Sequence, residues 1–298
     1  MPEPNAPIVV PPTAEPAIDT PALADVRARV EPALEAFLLE RRAELVAMDA
    51  GAAPLADELF RVIRAGGKRI RPALCWWSHR AAGGEDGEPI RGACVALELL
   101  HTSALIHDDV IDGDDERRGV PATHAAFART APAGVDPGAF GVAAAILVGD
   151  LALVLSEQAL RTCGSRGDRL ELAMSRFDAM RSEMAAGQFL DVSGSADPAR
   201  VSALKSGSYT GLGPVLIGAA LAGAEPAAEE ALRAYAGSIG SAFQLRDDVL
   251  DGDAPREDAN EVDVLLEHAV RSLDGAPLEA DAVEALWELA GLLRLGAS

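Results

Sequence analysis

The chain has 298 residues, 49% of them hydrophobic and 24% charged, which is enough to bury a substantial core in one large, soluble domain. Its 26 basic residues against 47 acidic ones give a net charge of −21 at pH 7, which repels nucleic acid and anionic membrane surfaces. Three scattered cysteines, Cys75, Cys94 and Cys163, lack metal-ligand spacing and read as buried thiols in a reducing compartment, so the cytoplasm is the expected location.

Residues 1–21 carry seven prolines and few large apolar groups, the composition of a disordered tail, and residues 22–298 read as a single helical domain. No basic residue precedes Arg27, and the longest apolar runs, near 141–149 and 211–224, are interrupted by glycine. Neither a signal peptide nor stable membrane insertion is expected. From there, Ala, Leu, Arg and Glu recur with helical period, and the spacing predicts helices over 22–48, 54–65, 70–82, 89–112, 139–163, 167–190, 199–222, 226–251, 260–273 and 279–294. No strand pattern stands out. Glycine and proline at the breaks suit antiparallel helices joined by short loops, so the expected fold is an all-α bundle.

One acidic cluster occurs twice: Asp108-Asp109-Val110-Ile111-Asp112 and Asp247-Asp248-Val249-Leu250-Asp251, each at the end of a predicted helix and each followed by a glycine. On a helix, Asp108 and Asp112 stand one turn apart on one face, as do Asp247 and Asp251, and each such like-charge pair costs roughly 0.2–0.5 kcal/mol. The helix dipole disfavours negative charge at that end too. A single cluster would read as a solvated acidic face, whereas a second copy points to bound divalent cation, and all-oxygen ligation favours Mg2+. An EF-hand does not fit, because a turn glycine at Gly113 or Gly252 would put Val110 or Val249 at a ligand position.

Lysine is nearly absent, with only Lys68 and Lys205 in the chain. Lys68 sits in Gly66-Gly67-Lys68-Arg69-Ile70-Arg71-Pro72, where paired glycines free the backbone just before a helix whose N–H groups attract anions. Taken alone, the heptapeptide reads equally as a phosphate cradle or as a basic loop. Arg117-Arg118-Gly119 follows the first acidic cluster, and arginine forks grip phosphate oxygens bidentately. His101, seven residues before Asp108, falls on the same helix face and reads either as a phosphate donor or as a core histidine. His107 faces elsewhere and suits a packing hydrogen bond.

These segments, together with Phe243-Gln244-Leu245-Arg246-Asp247-Asp248, Gly187-Gln188 with Asp191, and Lys205-Ser206 with Tyr209, resemble the trans-isoprenyl diphosphate synthase, or polyprenyl synthetase, family. The resemblance spans roughly residues 22 to 253. It implies an all-α fold around a central cavity, usually a homodimer, with three Mg2+ at aspartate-rich helix ends. By that likeness Asp108, Asp112, Asp247 and Asp251 hold metal. Lys68, Arg71, His101 and Arg118 hold the diphosphate of isopentenyl diphosphate, and Arg117 and Lys205 hold that of an allylic partner. Ser206 and Gln244 join the substrate-binding set, and Asp108, Asp112, Lys205 and Asp247 carry the catalysis.

One turn before the first cluster, Ser103 and Ala104 are both small, which leaves room for a growing prenyl tail and favours geranylgeranyl diphosphate as product. After Asp253 the family's glycine-lysine loop is missing; Ala254-Pro255-Arg256-Glu257-Asp258 stands there instead. Two rival readings remain. A terpene cyclase would act on one allylic diphosphate, against which stand the 4% aromatic content and the second set of cations. A noncatalytic subunit of a prenyl synthase is the other, against which stand the complete aspartate clusters.

Overall fold

The computed structural model describes residues 20–194, 200–201, 203–252, 255 and 258–295, with the side chains of Lys205, Ser206 and Asp251 outside the described ones. Most of the expected Pro-rich tail, residues 1–19, and Arg256 also fall outside this set. The fold is all-α, as the periodicity predicts. Its helices are α1 (Pro21–Met48), α2 (Ala53–Arg64), α3 (Ile70–Ala81), α4 (Glu88–Asp112), α5 (Thr123–Ala128), α6 (Pro137–Arg161), α7 (Asp168–Ser193), α8 (Gly213–Ala222), α9 (Pro226–Asp251), α10 (Ala259–Ser272) and α11 (Ala280–Gly291).

Three features depart from the expectation. The span 199–222 is not one α-helix, because Ala203–Leu212 is π-helical and α8 starts only at Gly213. Backbone contact explains the wider winding. A Cβ on Gly211 would stand 2.7 Å from the Ala236 carbonyl oxygen, and one on Gly240 would stand 2.7 Å from that of Gly207, so the segment lies directly against α9. Strands also exist, but too short for an alternating pattern: β1 (Glu116–Arg117) and β2 (Val120–Pro121) pair antiparallel, with Glu116 opposite Pro121 and Arg117 opposite Val120. Arg118 (φ 55°) and Gly119 (φ 75°) turn the hairpin with two positive φ values, the type I′ pattern that matches strand twist. The third is α5, whose six residues are too few for a periodic signal.

The described residues of Glu35–Lys68 and Leu99–Val154 cluster as one compact unit, and those of Asp19–Leu34, Arg69–Glu98 and Leu155–Ser298 as another. In the first, α1 and α2 are joined by Arg42 to Asp57 (2.5 Å) and Arg64 to Glu35 (2.6 Å). His107 contacts the Ile146 carbonyl oxygen of α6 (3.3 Å) and packs over Gly149, the role its face predicts. Phe127 of α5 meets Phe140 of α6 edge to face at 6.2 Å. By length and composition both α4 and α6 could cross a membrane. α6 runs straight through the glycine expected to interrupt its apolar stretch and leaves Val142, Ile146, Leu147 and Val154 exposed.

In the second unit α3, α7, α8 and α9 contact the π-helical segment, with α8 packed on α3 and α7, α9 on α10, and α11 on α3. Fully buried Trp76, Tyr235 and Phe177 are its largest core side chains, and Tyr235 donates its hydroxyl to the Leu286 carbonyl oxygen (2.7 Å). Cys75, Cys94 and Cys163 are buried thiols, and burial pushes Cys94 and Cys163 above the ordinary thiol range.

His79 fastens α3 to α8, with Nδ1 at 3.2 Å from the Gly218 carbonyl oxygen and Nε2 at 3.1 Å from that of Glu85. Burial pushes its imidazolium pKa below the usual value, and the two carbonyls oppose this more weakly. A folded value below the unfolded one of about 6.5 means the native state binds fewer protons. The contribution to stability is therefore whole above about pH 6.5 and is lost as pH falls below it. The urea midpoint is expected to drop between about pH 7.5 and 5.5, and to drop less in a His79→Gln variant measured side by side.

Candidate active site

In the first unit, α4 ends on Asp108, Asp109 and Asp112, capped by Gly113 at φ 74°. The helix rotates Asp109 away from the other two. It is 4% exposed and accepts a hydrogen bond from the Arg117 Nε–H, while Arg117 Nη2 lies 3.8 Å from Asp108 and 3.9 Å from Asp114. Burial pushes the Asp109 carboxyl above the usual carboxylate range, and Arg117 pulls it back. Asp109 thus anchors Arg117 at the foot of the cluster, while Asp108 is half-buried and Asp112 exposed. The sequence marks Asp109 only as part of a run; its pairing depends on where the hairpin brings Arg117.

Arg118 donates from Nη1 to the Gly66 carbonyl oxygen, tying the hairpin turn to the glycine-rich loop. Lys68, in that loop, is exposed and has no ion-pair partner among the described residues. Below the cluster on α4, His101 is half-buried, Ser103 buried and Ala104 half-buried, and Ala104 lies one turn from Asp108.

In the second unit, α9 ends on the second cluster, capped by Gly252 at φ 85°. Gln244 donates to Asp248 (2.5 Å) and Arg246 Nη1 donates to Asp247 (3.1 Å), so each aspartate already has a partner on its own helix. Arg71, in the first turn of α3, donates from Nη2 to the Thr210 hydroxyl (2.8 Å). Lys205 and Ser206 belong to the π-helical segment, and their side chains, like that of Asp251, lie outside the described ones.

Arg69, which residue type and spacing do not single out, has a structural role. Its αL backbone (φ 58°) turns it inward to pair with Glu98, the two side chains being 5% and 6% exposed, with Glu31 at 3.8 Å from its Nε. Three basic residues in four positions therefore point to different tasks: Arg69 holds the helix start, while Lys68 and Arg71 flank it.

The donor set fits a hard cation. Asp108 and Asp112 supply carboxylate oxygens one turn apart at a helix end whose dipole opposes them, as Asp247 does on α9. Among the described residues no three His, Cys, Asp or Glu side chains converge into a protein-only cage. Mg2+ is commonly held by one or two carboxylates plus substrate phosphates, so these pairs suit it.

The polyprenyl synthetase family model matches residues 53–263, and the chain belongs to that family. Geranylgeranyl diphosphate synthase of Methanosarcina mazei is 35% identical over 213 residues, covering 67% of this chain and 61% of that protein. Farnesyl diphosphate synthase of Geobacillus stearothermophilus is 34% identical over 219 residues, covering 70% and 69%. The crystal structure of geranylgeranyl pyrophosphate synthase from Corynebacterium glutamicum, complexed with isoprenyl diphosphate and magnesium, matches with a TM-score of 0.79 at 27% identity, over 90% of this chain and 97% of that one. The matched part of this chain spans about three fifths of the Methanosarcina mazei protein's length, 61%.

Glu98→Ala would take the close buried carboxylate from the Arg69 guanidinium, and is expected to cost about 3–5 kcal/mol in urea unfolding. Adding Arg69→Met should recover a large part of that loss.

Proposed function

We propose that this chain is a trans-prenyltransferase that condenses isopentenyl diphosphate with an allylic diphosphate, making geranylgeranyl diphosphate. The carrying observation is the pair of aspartate-rich helix C-termini, Asp108 with Asp112 on α4 and Asp247 with Asp251 on α9. The relatives named above, which are prenyl diphosphate synthases, support the same reading. Asp108, Asp112, Asp247 and Asp251 would hold Mg2+, three ions in all. Bound there, Mg2+ supplies neutralising charge for the departing diphosphate.

The chain's own cations act alongside. Arg117, pinned by Asp109, and Lys205 stabilise negative charge on the allylic diphosphate as its C–O bond breaks. Lys68, Arg71, His101 and Arg118 hold the isopentenyl diphosphate so that its double bond attacks the allylic carbon; Ser206 and Gln244 complete the substrate shell. The condensed cation then loses a proton to the released diphosphate. Small Ala104, one turn below Asp108, leaves the tail room to reach twenty carbons.

The working state is a homodimer in the cytoplasm, without stable membrane insertion. Exposed Leu147 (56%) and Val154 (63%) with Val142 and Ile146 form an apolar face on α6 that a second copy would cover, and the buried free thiols suit a reducing compartment. Leu147→Glu with Val154→Glu is expected to yield monomer by light scattering.

Incubation with Mg2+, isopentenyl diphosphate and allylic primers should give a twenty-carbon diphosphate, and chelation by EDTA should stop it. Product ending at fifteen carbons would contradict the open floor at Ala104. Asp108→Asn and Asp247→Asn should each lower turnover by about 100-fold or more. Cyclic hydrocarbon from an allylic diphosphate alone would favour a cyclase instead.

A further inference from the structure

Two side chains of the π-helical segment, Tyr209 and Thr210, hold Arg71 without having a role in the reaction described above. The Arg71 guanidinium carbon lies 4.1 Å from the centroid of the Tyr209 ring, a cation–π stack, while Nη2 donates to the Thr210 Oγ at 2.8 Å. Tyr209 is 5% exposed and Thr210 is 0% exposed, so both supports are sealed in the core. The Arg71 Nε is buried as well and has no hydrogen-bond partner among the described residues. Stacked on one face, bonded at Nη2 and enclosed at Nε, the guanidinium is confined to one plane.

The supports are themselves immobilised. Ser208 donates its hydroxyl to Glu183 of α7, and Gly207 and Gly211 bring the segment's backbone against Gly240 and Ala236 of α9. An arginine on a free surface must lose much rotamer freedom when it grips an anion, whereas one already fixed has lost it on folding. The stack and the hydrogen bond are made entirely by groups of this chain, so they fix the guanidinium as part of the fold.

We propose that Thr210 and Tyr209 are positioning residues that preset the Arg71 guanidinium for the diphosphate of isopentenyl diphosphate. The proposal deepens the prenyl-transfer reading and rests on it for the identity of the ligand. Its consequence is selective: loss of either support weakens the hold on isopentenyl diphosphate and leaves the allylic substrate and the chemical step largely alone.

The test uses the full chain with Mg2+, measuring isopentenyl diphosphate binding by titration calorimetry and steady-state kinetics for both substrates. Thr210→Val keeps the shape but removes the acceptor, and Tyr209→Leu removes the aromatic face. Each is expected to raise the Kd and KM for isopentenyl diphosphate about tenfold, with kcat and the allylic KM within about twofold. Thr210→Ser and Tyr209→Phe should restore the wild-type values, which a purely structural defect repaired by volume alone would not explain. Should Thr210→Val melt near the assay temperature, Tyr209→Leu and Thr210→Ala at lower temperature carry the same prediction. An unmoved isopentenyl diphosphate Kd in folded Thr210→Val, or an equal loss for both substrates, overturns the positioning role even where the wild type turns over. Absence of wild-type turnover counts against prenyl transfer, while the Kd ratio still decides the role of Thr210; failure of the wild type to bind isopentenyl diphosphate overturns both.

Discussion

Negative charge stands where an α-helix tolerates it least. Asp108 and Asp112 close α4, and Asp247 and Asp251 close α9, each helix ending in a glycine of positive φ. Unpaired carbonyls already give such ends a partial negative charge, and a second carboxylate one turn away adds repulsion. The local structure relieves part of this. In α4, Asp109 is buried and accepts from Arg117, whose Nη2 also lies 3.8 Å from Asp108. In α9, Gln244 and Arg246 partner Asp248 and Asp247 from within the same helix. Under the proposed reaction these aspartates would share a divalent ion with substrate phosphates, which would supply the remaining compensation.

The basic residues show a matching division of labour, decided by backbone conformation. Arg117 and Arg118 are adjacent, yet the hairpin sends one to Asp109 and the other to Gly66. In Lys68-Arg69-Ile70-Arg71, the αL conformation at Arg69 commits that side chain to Glu98, leaving an exposed lysine before it and an arginine stacked on Tyr209 after it. A left-handed non-glycine residue costs about 1–2 kcal/mol, and it recurs here at both Arg69 and Arg118, beside the proposed diphosphate ligands.

The π-helical segment extends the same theme. Its wider turn would be unstable alone, but Gly207 and Gly211 allow backbone contact with α9, and Ser208 ties it to α7. One short stretch thereby carries Lys205, braces Arg71 through Thr210, and packs against the helix that ends in the second aspartate cluster. A regular α-helix across 203–212 would have rotated Tyr209 and Thr210 to other positions.

Helical period located most elements to within about two residues, because an apolar stripe repeating every 3.6 residues is written directly into the chain. It could not reveal the winding of Ala203–Leu212, the two-residue strands or the six-residue α5, which produce too few repeats to register. The chemistry was similarly divided. Paired aspartates, the glycine-rich basic loop and the scarcity of lysine are properties of residue type and spacing, so the sequence alone determined where a metal and diphosphate site is to be sought. Which aspartate is buried, which arginine is structural, and what holds Arg71 were decided only by the tertiary structure. Asp109 meets Arg117, Arg69 meets Glu98 and Arg71 meets Thr210 across 8, 29 and 139 positions. Contacts of that kind follow from packing, which no local pattern encodes.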